Sequence, residues 1–345
     1  MYRTWQAYFQ SKGGDLADGA GTPSPLWVAN EQAQWPMYDL AGFYVPAGAI
    51  PHVVNIRRVQ GRDPVAYEIV VRFTEPRLVR ATDSARTRIT ATWIVEQRAG
   101  RWLLANVLPQ RTRNWHTERV GQIRYFVAPL LTFNRTRAIA AAKFVDSLTA
   151  AFDLPRLDAL DYYVVPTVDA ALDALGVDSP TRYGPSGGFS KPVNHQLFAG
   201  IPMWGENYRH ELTHVVLLPL YRSGPLTIVG TEGVATWLGG TSGMTWKESV
   251  RSLRTFLRSH PTATLDSAIT QGSIPQTDTY AAGAVLCDIV FRRGGTPAVR
   301  AFLTAGPGPN QVRAELLRLF GASWERIARE WRAAVDTIAA EGGPA

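Results

Sequence analysis

The apolar positions of this chain change period near residue 52 and change back near residue 136. Residues 2–10 place Tyr2, Trp5, Tyr8 and Phe9 at helical spacing, and Gly13-Gly14 closes that helix. A Gly- and Pro-rich passage runs from Asp18 to Pro25, and a second helix is expected around Leu26–Gln34. Trp35–Val45 follows, with Asp39 and Tyr44 among several apolar residues. From His52 the texture becomes that of strands. Val53–Arg57 and Ala66–Thr74 predict two of them. Arg86–Gln97 alternates, with Ile89, Ala91, Trp93 and Val95 on one face. Ala99-Gly100 then makes a hairpin turn into Trp102–Leu108.

Residues 111–134 form a connection with strand character at Ile123–Val127, and a domain boundary is expected near 118. Thr136–Phe152 predicts an Ala-rich helix with Ala140, Phe144, Val145 and Leu148 on one face. Asp161–Pro166 predicts a strand, and Thr167–Leu175 a helix ended by Gly176. Thr181–Gly188 is a loop, and Phe189–Ile201 holds a further strand. The end of the chain is helical: Trp246–Arg258, Tyr280–Arg292, Pro297–Ala305, Asn310–Leu319 and Ser323–Ala340. The fold class is therefore α+β, in two domains, 1–118 and 119–345.

Composition narrows the function classes. At 345 residues, 46% hydrophobic and 19% charged, the chain has material for two packed cores. Its net charge of +7 is spread out, with 14 Lys/Arg against 10 Asp/Glu in residues 1–118 and 22 against 19 beyond. No basic cluster interleaves with aromatics, so nucleic acid is not an expected partner. No apolar run reaches the length of a transmembrane helix. The single Cys287 has apolar neighbours and is expected as a buried core thiol.

The chemistry concentrates in Asn207–Val216, which contains His210-Glu211-Leu212-Thr213-His214, an H-E-x-x-H string. On a helix, positions i and i+4 share a face, so His210 and His214 can aim two imidazoles at one Zn2+. Glu211 is displaced around the helix, placed to take a proton from a metal-bound water. The bland alternative is a buried helix with two incidental histidines. Against it, Leu212 and Val215 to Leu218 make the helix face a core, where ionisable groups need partners. A catalytic zinc takes three protein ligands. The candidate for the third is Glu232 in Gly230-Thr231-Glu232-Gly233, with Thr231 as N-cap; a Glu opening a helix is also an ordinary charge–dipole placement. His52, His116, His195 and His260 stand at no known ligand spacing. His195 is better accounted for as a satisfied strand or loop histidine, and Asp39 and His116 as structural or surface residues.

HELTHVVL followed by a TEGVATWL segment resembles the gluzincin metallopeptidases, and more narrowly the peptidase MA-like group. The resemblance covers about residues 120–345 and implies His210, His214 and Glu232 as metal ligands and Glu211 as catalytic base. It also implies a mixed sheet with an edge strand beside the metal, for which Phe189–Ile201 is the candidate. Tyr280-Ala281-Ala282-Gly283-Ala284 is similar to a Y-x-x-G-A segment whose tyrosine steadies an oxyanion. Tyr280 is equally accounted for as a helix-opening core residue, and Tyr208 and Tyr221 are rivals for that role. Met203-Trp204-Gly205-Glu206-Asn207 has the letters of an exopeptidase motif in the wrong place; Glu206 and Asn207 are expected in the first turn of the HELTH helix. Residues 1–118, helices followed by long antiparallel strands, resemble the NTF2-like cone fold. Peptide or protein is thus the expected substrate. The alternatives are a catalytically silent binding module, another zinc hydrolase chemistry, or a ligand-binding role for the cone. The chain opens without n- and h-regions, already in the rhythm of a folded helix; the family resemblance implies an extracytoplasmic location, with a signal peptide absent from this chain.

Overall fold

The computed structural model describes residues 1–11, 25–28, 50–61, 63–74, 88–178, 187–192, 195–200, 204–221, 227–270, 274–306 and 308–341. Its architecture is α+β, with one antiparallel and one mixed sheet. Among the described residues no helix is long and apolar enough to cross a membrane. Asp39 and most of the helix expected at 26–34 lie outside the described residues. The part that is described is extended instead: Val28 N–H donates to Leu104 O, and Leu104 N–H to Leu26 O.

Helix α1 (Tyr2–Ser11) precedes strands β1 (Ile50–Arg58), β2 (Ala66–Thr74), β3 (Arg88–Arg98) and β4 (Arg101–Ala105), which pair in that order, all antiparallel. Ala99 and Gly100 both take positive φ, the conformation that a two-residue turn between twisted strands requires. Strand alternation buries Ile69, Val71, Trp93 and Val95 on one face, as the pattern predicts. Trp5, Tyr8 and Trp27 fill that face. The ring of Trp5 lies 6.0 Å from that of Trp93, and Tyr8 meets Trp27 edge-on at 5.9 Å.

A short helix α2 (Leu108–Thr112) leads to β5 (His116–Val120) and β6 (Ile123–Val127), then α3 (Arg135–Ala151), β7 (Leu160–Val165) and α4 (Val168–Leu175). Asn134 caps α3 by accepting from Arg137 N–H, and Thr167 caps α4 by accepting from Ala170 N–H. The buried stripe of α3 is Ala138, Ala141, Val145 and Leu148, rotated slightly from the predicted face; Ala140 and Phe144 are half-buried. After β8 (Val177–Asp178), the single strand expected at 189–201 is two, β9 (Gly187–Lys191) and β10 (Gln196–Gly200). The second sheet runs β5-β6-β7-β10-β9, with β7 and β10 parallel and β9 antiparallel at the edge.

The chain forms two compact units. One comprises residues 1–118, 125–133 and 161–202; the other comprises 119–124, 134–160 and 203–345. The chain thus leaves the first unit at 118 and returns to it twice. The returning segments join the first unit physically: β8 pairs with β3, and Tyr163, Leu172 and Phe198 share one apolar core with Trp93.

The second unit, apart from residues 119–124, is helical: α3, α5 (Arg209–Leu217), α6 (Ile228–Gly239), α7 (Trp246–Ser259), α8 (Leu265–Ile269), α9 (Gln276–Leu303), α10 (Pro309–Phe320) and α11 (Trp324–Glu341). Helix α9 merges two expected helices across a break at Gly294-Gly295. It starts four residues before Tyr280, which therefore sits a full turn inside the helix and does not open it. Helices α6 and α9 cross with their backbones in contact. A Cβ on Gly233 would stand 2.6 Å from Gly283 Cα, and one on Gly283 would stand 2.7 Å from Gly233 Cα.

Candidate metal centre

Helix α5 begins at Arg209, so His210 and Glu211 lie in its first turn and His214 one turn on. Glu206 and Asn207 precede it in a turn. Glu206 is buried and accepts from Asn134 N–H at 2.7 Å, which ties this turn to the start of α3. The apolar side of α5 is fully buried: Leu212, Val215 and Leu217 are all sealed from solvent. That burial fixes the rotation of the helix. His210 and Glu211 are consequently buried too, and His214 is half-buried.

The two imidazoles meet nearly edge-on, with centroids 5.0 Å apart. One ligand atom from each of His210, Glu211 and His214 lies within 4.8 Å of the others. Among the described residues this is the one such convergent group of metal-ligating side chains, and none of the other four histidines belongs to it. His116 is exposed and 3.3 Å from Glu118, His260 bonds at the end of α7, and His195 takes a positive φ while its carbonyl accepts from Asp161 N–H.

Glu232 arrives from α6. The helix starts at Ile228, with Thr227 and not Thr231 at the N-cap position, so Glu232 sits in its second turn, where no end charge–dipole effect accounts for it. Its Oε2 lies 3.1 Å from His210 Nε2 and 3.5 Å from His214 Nε2. Burial alone would raise this carboxyl, but hydrogen bonds from both imidazoles outweigh it and hold Glu232 far below the usual carboxylate range. Burial likewise opposes a charged His214, yet the hydrogen bond and charge of Glu232 raise it above its ordinary value.

The glycine contact between α6 and α9 brings Tyr280 to the same place. The Tyr280 ring lies 6.2 Å from that of His210, nearly parallel. Its hydroxyl accepts from Gln276 Nε2 at 3.0 Å. Burial, then the Glu232 charge, push its phenol up to about 12, so it stays protonated at neutral pH. Tyr208 is buried, stacked on Trp204 at 4.4 Å; burial, then the Glu211 charge, push it up further. The Tyr221 hydroxyl is buried with no hydrogen-bond partner among the described residues, and burial, then Cys287, raise it as well. Cys287 is a buried core thiol, as its neighbours predict.

The residues that sequence reasoning passed over are glycines. Gly233 and Gly283 set the helix crossing, and Gly239-Gly240 ends α6 against the start of α5. Their signal was present as a glycine directly after Glu232, a glycine three residues after Tyr280 and a doubled glycine after Leu238. No protein-family model matches the chain, and no curated protein matches it.

Proposed function

We propose that this chain is a zinc-dependent hydrolase of peptide bonds, of gluzincin type, with His210, His214 and Glu232 as metal ligands. One observation carries the reading: two imidazole nitrogens and one carboxylate oxygen converge at 3.1 and 3.5 Å beside the buried carboxylate of Glu211. Ligands about 2.0–2.1 Å from a tetrahedral zinc stand about 3.4 Å from each other, so the donor set fits that ion. The His-His-Glu set also leaves a fourth position, as catalytic and not structural zinc sites do.

Zinc held there supplies a Lewis acid for the scissile carbonyl and an acidified water. Glu211 takes the proton of the attacking water and passes it to the leaving amine. It lies buried in the first turn of α5, between the two histidines in sequence. Tyr280, protonated at neutral pH, is the donor assigned to the developing oxyanion. Such a donor contributes about 3 kcal/mol to transition-state stabilisation. We read the first unit as an accessory body: aromatic side chains fill the sheet face that a ligand-binding cone would leave open. Its NTF2-like character and the peptidase MA-like character of the second unit belong to the same proposal.

The test combines zinc content with hydrolysis of a broad quenched-peptide library, for wild type and Glu211→Gln. Near-stoichiometric zinc in both, with cleavage by the wild type alone, is expected. Zinc in both with cleavage in neither would turn the reading toward a silent binding module.

A further inference from the structure

His210 makes a contact that a metal ligand does not by itself require. Its Nδ1 lies 2.7 Å from the carbonyl oxygen of Gly240, in the protein interior. A carbonyl oxygen only accepts, so the shared proton sits on Nδ1. Nε2 is left to face Glu232 Oε2 at 3.1 Å. A carboxylate oxygen also only accepts, so this second contact needs a cation: a second proton on Nε2, donated to Glu232, or a metal ion in its place.

The contact is built into the backbone. Gly239 passes so close to the start of α5 that a Cβ on it would stand 2.6 Å from the Arg209 carbonyl carbon and 2.7 Å from His210 Cα. Gly240 takes φ 76°, and its own N–H donates to Thr236 O at 2.8 Å. Beyond it, Thr241 and Met244 exchange two backbone hydrogen bonds of 3.0 and 2.8 Å, closing a tight turn. The Gly240 carbonyl is thus pinned from both sides before it meets the imidazole.

We propose that the Gly239-Gly240 turn is a positioning element for His210: the Gly240 carbonyl holds the proton on Nδ1 and aims Nε2 at Glu232, and Gly239 gives the turn the room to do so. This deepens the metal-centre reading and rests on it for its purpose, though the hydrogen bond itself can be tested without metal. The turn acts through its backbone alone, since neither glycine offers a side chain to the site.

Imidazole nitrogen-15 NMR on the full chain tests it, with the His210 signals assigned by their loss in His210→Gln. A protonated, hydrogen-bonded Nδ1 is expected in both the metal-free and the zinc-loaded protein, with zinc perturbing Nε2. A bare Nδ1 in the metal-free protein would overturn the proposal. Gly239→Ala is expected to weaken zinc binding about 10- to 100-fold in competition with a chelator, the range for lost outer-shell support. Unchanged zinc affinity in a folded Gly239→Ala would overturn it, and if that variant does not fold the wild-type spectra decide. The two readings fail separately. Zinc bound with Nδ1 bare sinks the positioning role alone, whereas Nδ1 protonated in a chain that takes up no zinc sinks the metal reading alone.

Discussion

Glu68 and Glu96 of the first unit and Glu232 of the second are carboxylates withdrawn from solvent to different degrees and satisfied by different kinds of partner. In the first unit Glu68 lies 2.6 Å from Arg57 Nη2 and 3.6 Å from Arg111 Nη2, and Glu96 lies 2.6 Å from Arg98 Nε. Arginine does not give up its proton in proteins, so these pairs are closed. In the second unit Glu232 has two imidazoles for partners, and among the described residues no Lys or Arg pairs with it. An imidazole nitrogen is either a donor or a lone pair. A carboxylate between two of them accommodates an exchangeable cation, where a carboxylate between arginines does not. The lesson is that burial of an acid marks a site only when its partners are themselves exchangeable.

Substitutions can break this comparison, and the largest effect falls on chemistry. Glu211→Gln keeps the size of the side chain and removes the base, so peptide hydrolysis is expected to fall by about 10²- to 10⁴-fold with zinc content unchanged. Steady-state cleavage and elemental analysis on the same sample check both halves. Glu232→Gln attacks the metal directly. Its zinc affinity, measured against a chelator, is expected to drop by more than about 100-fold, the upper end of what losing outer-shell support costs. Gly283→Ala disturbs the crossing that carries Glu232 and Tyr280, because the new methyl meets the Val229 and Gly233 backbones. A loss of about 1–3 kcal/mol in urea unfolding is expected, accompanied by weaker zinc binding. Glu68→Gln is the control from the other unit. Arg57 is 68% exposed, so solvent screens much of that pair. A loss of about 1–2 kcal/mol of stability is expected, with zinc binding and hydrolysis untouched. A Glu68→Gln protein that lost zinc would erase the distinction between the arginine-paired and the imidazole-paired acid.

What was legible in the sequence was local. His210 and His214 share a helix face because their spacing dictates it. Ile89 to Val95 alternate because a pleat does. The helix stop at Gly176 follows from backbone chemistry within four residues. What was not legible depends on distant segments. Thr231 had the chemistry of an N-cap, yet the helix begins four residues earlier at Thr227. Tyr280 resembled a helix opener, but α9 already contains it. A glycine pattern gives no hint of which backbone will approach it, so the contacts of Gly233 with Gly283 and of Gly239 with His210 emerge only in three dimensions. The interleaving of the two units escaped for the same reason. Strands β7 and β10 are ordinary apolar runs, and nothing in their letters says whose core they complete.

The most direct test of the central claim is the zinc content of the purified wild-type chain beside Glu232→Gln, by elemental analysis after reconstitution and removal of free metal. Near one zinc per wild-type chain, and a large loss in the variant, is the result this account predicts. A wild type that holds no zinc after reconstitution would contradict it, and His210, His214 and Glu232 would then be a charge-paired cluster with no metal to serve.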